Sequence, residues 1–186
     1  LLDARIMDIV MPRPGEVIRR FQALYAQDPA RATDWFYDLS IRSNYIHKDR
    51  TDKNIKFERN TKYGPVQITI NLSKPEKDPK EIAAARSQKS TGYPACLLCK
   101  ENVGFAGHAS HPARQNLRII PLNLDGSKYY MQYSPYIYYN EHCIIFNEQH
   151  IPMRVDHDTF EHLADFTDQF PHYSLGSNTD IPIVGG

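Results

Sequence analysis

Leu117-Arg118-Ile119-Ile120-Pro121-Leu122-Asn123-Leu124-Asp125-Gly126-Ser127-Lys128-Tyr129-Tyr130-Met131-Gln132-Tyr133 decides the fold class. Two β-rich runs, 117–124 and 129–133, flank Asp125-Gly126, a pair suited to the left-handed backbone of a tight hairpin. Further runs at 136–139 and 143–147 extend the pattern. Branched and aromatic side chains suit a pleated, half-buried surface, so an antiparallel sheet is predicted. Downstream, Asp156 caps a predicted helix that runs to about Phe170, with Phe160, Leu163, Phe166 and Phe170 inward. Pro171 ends that helix, and residues 172–177 are predicted to resume as a strand.

Upstream the periodicity is helical. Val17, Ile18, Phe21, Leu24 and Tyr25 form one stripe, which predicts a helix over 16–27. Asp28-Pro29 then supplies an N-cap and a proline at the first helical position. The helix it opens is predicted to reach about Ser43 and to bury Trp35, Phe36 and Leu39. Residues 66–72 alternate apolar Val66, Ile68, Ile70 and Leu72 with polar partners, the pattern of a strand. Asp78-Pro79-Lys80-Glu81 is a capping box that predicts a helix over 79–89, and Gly92-Tyr93-Pro94 breaks it. Helices followed by an antiparallel sheet with a helix packed on it make the class α+β. Two parts are expected: a helical N-terminal segment with one strand (1–90) and a sheet domain (91–186).

Composition narrows the partners. Lys plus Arg and Asp plus Glu are equal at 22 each, which gives no argument for a nucleic-acid or membrane partner. No apolar run approaches the ~20 residues of a membrane helix, and Asp3, Arg5 and Asp8 interrupt any signal-peptide pattern. The chain is expected to be soluble and cytoplasmic. Its opening at Leu1 suggests a missing natural start. Three cysteines, Cys96, Cys99 and Cys143, do not make a disulfide framework. Six tyrosines crowd into Tyr129–Tyr139, read as a half-buried strand pair or as a stacking surface for a base or sugar.

Cys96-Leu97-Leu98-Cys99 is the sharpest local signal. Two thiolates at this spacing reach one ion across a tight turn, and zinc takes four such ligands with His as the usual complement. A redox pair would open a helix after a strand, whereas Lys100-Glu101-Asn102-Val103-Gly104 reads as loop; two cysteines packed in a turn are the bland alternative. His108, His111, His142, His150 and His157 follow the pair, and His142 and His150 flank the apolar run Cys143-Ile144-Ile145-Phe146. Arg114 lies in a polar loop; a guanidinium suits bidentate phosphate binding, although a surface charge is the commoner role.

Longer stretches resemble one family. Pro135-Tyr136-x-Tyr138-x-Asn140-Glu141-His142-x-Ile144-x-Phe146-x-x-x-His150 is similar to the strand entry and exit of the histidine-triad superfamily, whose members move nucleoside phosphates onto and off a histidine. Residues Ile70 to Pro79, Tyr93 to Cys99, His111-Pro112-Ala113-Arg114, and Phe170-Pro171-His172-Tyr173 through Gly176 to Gly186 resemble galactose-1-phosphate uridylyltransferase in its bacterial branch with a long helical N-terminus. The resemblance covers nearly the whole chain. It implies a histidine-triad-like sheet and a two-step transfer of UMP from UDP-glucose to galactose 1-phosphate through a uridylyl-histidine, usually in a homodimer. It matches Cys96, Cys99 and His150 to zinc ligands, with His142 as the fallback, and Asn178 to a phosphate contact. The family's attacking histidine lies in a His-x-His element just after the position of Gly186, so the chain is expected to be a truncated and inactive fragment. Transfer of adenine nucleotides within the superfamily, or a non-catalytic zinc-stabilised binding module, are the alternatives.

Overall fold

Alternating stripes and caps place the helices much as their spacing dictates. The structure, a computed structural model, describes residues 1–72, 92–94, 96–108, 111–137, 139–151 and 154–176. Helix α1 (Leu2–Val10) was not foreseen. Helix α2 (Pro14–Tyr25) buries Val17, Phe21 and Leu24, and Glu16 closes its first turn by accepting from the Arg13 amide at 2.9 Å. Helix α3 (Pro29–Arg42) starts at Asp28, whose carboxylate accepts from the Ala30 amide at 2.9 Å. Phe36 is fully buried on it, with Trp35 and Leu39 half-buried. A one-turn helix α4 (Lys48–Thr51) follows.

Strands β1 (Ile55–Thr61) and β2 (Gly64–Ile70) form an antiparallel hairpin. The alternation at 66–72 had marked β2; β1 is an addition, so the first segment holds two strands rather than one. The helix expected over 79–89 lies outside the described residues. Strands β3 (Ile120–Leu124), β4 (Ser127–Tyr133) and β5 (Cys143–Asn147) form an antiparallel meander in that spatial order. Leu124 pairs with Ser127, and Asp125 and Gly126 between them take φ of 45° and 77°, the two left-handed residues a tight hairpin requires. Helix α5 (His157–Gln169) is capped by Asp156, which accepts from the Thr159 amide at 2.9 Å, and Asp165 on it accepts from the Asp125 amide at 2.7 Å. The molecule is α+β, as the sequence pattern requires.

Three expectations need correction. The described part of 136–139 is not a strand: Ser134 accepts from the Tyr136 amide and donates to its carbonyl, and this local turn outcompetes extension. Residues 172–176 are not a strand either, because the Tyr173 amide turns back to the Phe170 carbonyl at 2.9 Å. Phe160 is exposed, since it lies in the first turn of α5, whereas Phe166 and Phe170 two and three turns on reach the core.

One hydrophobic cluster joins these elements. Val17, Phe21, Leu24, Phe36 and Ile46 from the first segment pack with Ile120, Leu124, Met131, Tyr133, Phe166 and Phe170 from the second. Phe36 lies 5.3 Å from the Tyr133 ring and Phe21 6.5 Å from Phe170, centroid to centroid. The Tyr133 hydroxyl donates to the Thr33 carbonyl at 2.9 Å, so α3 and β4 are bound by a polar contact inside the apolar one. This core fixes the sheet, and the sheet fixes where β5 ends.

Candidate metal centre

The turn that carries Cys96 and Cys99 is tied down by one buried side chain. Asn102 is inaccessible to solvent and donates its amide to the Cys96 carbonyl at 2.7 Å and the Pro94 carbonyl at 3.0 Å. The Cys99 amide closes on the Cys96 carbonyl at 3.3 Å, and a single 3-10 turn, Lys100–Asn102, follows. Both thiols therefore face one side of a fixed loop. Asn102 was not singled out from the sequence; an Asn three residues past the second Cys, where a turn must end, was the available signal.

Strand β5 brings the third donor. Its exit leaves Glu148, Gln149 and His150 beside the cysteine loop, and the His150 Nδ1 lies 3.3 Å from the Cys99 Sγ. The Cys96, Cys99 and His150 donor atoms all lie within 4.8 Å of one another. A tetrahedral zinc with bonds of about 2.1 to 2.3 Å needs ligand atoms roughly 3.5 Å apart, so the set is compatible with such an ion and leaves a fourth position open. His142 faces elsewhere, its Nδ1 3.0 Å from the Tyr136 carbonyl. Burial, and then the neighbouring Cys96, push the Cys99 thiol up to about 11, so this thiol resists ionisation without a cation to balance it.

The loop and the strand exit are clamped a second time. Lys100 Nζ sits 2.7 Å from a Glu148 carboxylate oxygen, which also accepts from the Tyr130 hydroxyl at 3.3 Å. The Lys100 ammonium, foremost, holds the Glu148 carboxyl below its usual range. Pro94, Cys96, Cys99, Lys100, Glu101, Glu148, Gln149 and His150 line a cleft of about 690 Å³. The Tyr-rich stretch is largely occupied: Tyr129 bonds the His162 ring at 3.2 Å, Tyr130 bonds Glu148, and Tyr133 is buried.

Arg114 is not a surface charge. It is buried and donates to the Tyr45 hydroxyl at 2.9 Å, with its backbone bonded to Gly104 and Phe105. Asn178 lies outside the described residues. No helix among the described residues is long and apolar enough to cross a membrane.

Comparison with known proteins identifies the family. The family model for the galactose-1-phosphate uridyl transferase N-terminal domain matches residues 2–152. The galactose-1-phosphate uridylyltransferase of Clostridium acetobutylicum is 62% identical over 186 residues, all of this chain and 37% of its own length. That of Caldanaerobacter subterraneus subsp. tengcongensis is 59% identical over the whole chain and 36% of its own length, and that of Bacillus subtilis 54% identical over the whole chain and 36%. The chain thus spans a little over a third of the length of these three relatives. No solved structure matches it. With the family model covering most of its residues and its cysteine pair set against the histidine that follows β5, the chain belongs to the galactose-1-phosphate uridyl transferase family.

Proposed function

We propose that these residues form the N-terminal part of an enzyme that moves UMP from UDP-glucose to galactose 1-phosphate. The observation that carries this is the family match over residues 2–152, on a chain whose Cys96, Cys99 and His150 converge. In the first step a histidine nitrogen bonds the α-phosphorus of UDP-glucose and glucose 1-phosphate leaves. In the second a phosphate oxygen of galactose 1-phosphate bonds the same phosphorus and the imidazole leaves. Splitting one displacement in two is nucleophilic catalysis, and the attacking histidine is assigned to no residue of this chain.

Zinc is the proposed occupant of Cys96, Cys99 and His150; when bound it balances the thiolates and cross-links the cysteine loop to the end of β5. Asn102 holds the loop for that purpose, and the Lys100–Glu148 pair holds the strand exit against it. Arg114 and Asn178 are proposed to meet substrate phosphates. Arg114 supports this by being a buried cation with no carboxylate partner among the described residues, a setting that favours an anion. The three free cysteines suit a cytoplasmic location, and the exposed Leu2, Ile6, Ile9 and Val10 of α1 offer an apolar stripe for a homodimer.

The purified full-length polypeptide is expected to release glucose 1-phosphate from UDP-glucose and to form UDP-galactose when galactose 1-phosphate is added. These 186 residues alone are expected to do neither. Turnover of ADP-glucose but not UDP-glucose points to an adenine-specific transferase of the same superfamily. Metal binding without turnover of either nucleotide sugar points to a zinc-stabilised module.

A further inference from the structure

The β1–β2 hairpin is two-faced. Its register sets Ile55 against Ile70, Phe57 against Ile68 and Arg59 against Val66 on one side. Lys56 with Thr69, Glu58 with Gln67 and Asn60 with Pro65 take the other. Alternation of this kind, interrupted by Arg59, marks a strand pair with one largely apolar face, the dry face. The dry face is nevertheless open: Ile55, Phe57, Val66, Ile68 and Ile70 are each 36–47% exposed. A two-stranded hairpin is marginal alone in water, and contiguous apolar patches on a protein surface mark interaction sites.

We propose that this face is covered by the C-terminal domain of the same polypeptide. The matched region is an N-terminal domain, and the Clostridium acetobutylicum and Caldanaerobacter relatives match this chain over 36–37% of their length, so such relatives hold a large further portion of chain that can dock. Size argues against a second copy. The five side chains expose on the order of 400 Å² together, about half of the ~800 Å² per partner that a stable association between separate proteins buries. A covalently linked domain needs less, because the tether raises its effective concentration to the millimolar range. The polar face of Lys56, Glu58 and Gln67 stays in water, which fixes the side from which the domain approaches. This inference rests on relative length and on the hairpin, and is independent of the reaction assigned above.

The test is photo-crosslinking in the full-length polypeptide, with p-benzoylphenylalanine placed at Phe57 and, separately, at Val66. The expected product has the mass of one chain, with the crosslinked peptide drawn from beyond residue 186. The same probe at Gln67, on the wet face, is expected to give no such crosslink. A product of doubled mass assigns the face to a second copy and overturns the proposal. Crosslinks confined to residues 1–186, or none from either dry-face position, overturn it as well. As a second measurement, Ile68→Lys is expected to speed proteolytic separation of the two portions by about tenfold through a larger open population, and Gln67→Lys to leave it unchanged.

Discussion

Asn102 shows how a site depends on a residue that cannot touch the ligand. Its amide satisfies two carbonyls of the cysteine loop from a position with no solvent access. Asn102→Ala takes this donor from the Pro94 carbonyl and leaves the Cys96 carbonyl only the longer bond from the Cys99 amide, at a cost of about 1–3 kcal/mol in stability. It also frees the loop, and loss of an orienting partner weakens metal binding by roughly 10- to 100-fold. Competition of the purified protein against a chromophoric zinc chelator measures this; His150→Ala is expected to remove binding, whereas His142→Ala, at a ring turned to the Tyr136 carbonyl, is expected to keep it. Unchanged affinity in Asn102→Ala shows that the loop holds its shape without that side chain. Glu141 is the second informative residue. Burial first, then the nearby Asp34 carboxylate, raise its pKa, while the Tyr173 hydroxyl, donating at 3.3 Å, and the Tyr133 hydroxyl, 3.5 Å away, oppose the rise. The folded state therefore holds this proton more tightly than the unfolded one. The stability this gives is fully present below the ordinary glutamate range and is lost as pH rises through the folded-state value. Glu141→Gln keeps an acceptor for the Tyr173 hydroxyl and has no charge to bury. It is expected to flatten that part of the pH–stability curve and to raise the denaturation midpoint at neutral pH. A variant with the parent's slope from the ordinary glutamate range upward assigns the dependence to other groups.

At the scale of elements, two glycines separate strain from collision. Gly126 closes the β3–β4 hairpin at φ +77° with nothing within 4 Å of where a Cβ would stand. Gly126→Ala therefore meets only the left-handed backbone penalty, about 1–2 kcal/mol. Gly107 has φ +85°, and a Cβ there would stand 2.6 Å from the Ala113 backbone nitrogen and 2.8 Å from its Cα. That backbone cannot retreat easily, because the next residue is held on both sides by Arg114 N–H to the Phe105 carbonyl and Gly104 N–H to the Arg114 carbonyl. Gly107→Ala is expected to cost at least ~3 kcal/mol, the range reached when a packed site must shift. Urea denaturation of the two variants side by side checks the ordering; equal losses show that the 104–114 loop yields. The β3–β4 turn was legible because its chemistry is local: two residues supply both left-handed conformations. Strand β1 was not, because Arg59 and Asn60 break the apolar alternation that Ile55 and Phe57 begin, and its partner lies across a hairpin. The 136–139 run misled for a related reason. Its tyrosines favour extension, but Ser134 and Pro135 offer a turn that satisfies the backbone locally.

Across the whole molecule, helices α2, α3 and α5 and the strands of the meander followed from periodicity, but the way they share a core did not. A boundary near residue 90 reflects a change in composition, whereas burial is set by contacts between residues far apart in the chain. The metal centre has the same character: Cys96 and Cys99 are legible as a pair, but His150 joins them only because β5 ends beside their loop. Arg114, read in a polar loop, is drawn inward by the Tyr45 hydroxyl, a partner 69 residues away. Phe36 tests the shared core directly. It is fully buried on α3, its ring 5.9 Å from Phe21 of α2 and 5.3 Å from Tyr133 of β4. Phe36→Ala removes a large side chain from the seam between the first helices and the sheet, at a cost of about 3–5 kcal/mol. Because the cluster runs from Val17 to Phe170, the loss is expected to act on one cooperative transition rather than on the helices alone. Trp35 fluorescence reports the helical side, and near-ultraviolet dichroism of the Tyr129–Tyr133 group reports the sheet. Both are expected to shift to the same lower midpoint in Phe36→Ala. A fluorescence transition that moves while the tyrosine signal stays would instead divide the molecule near residue 90 into two units that unfold separately.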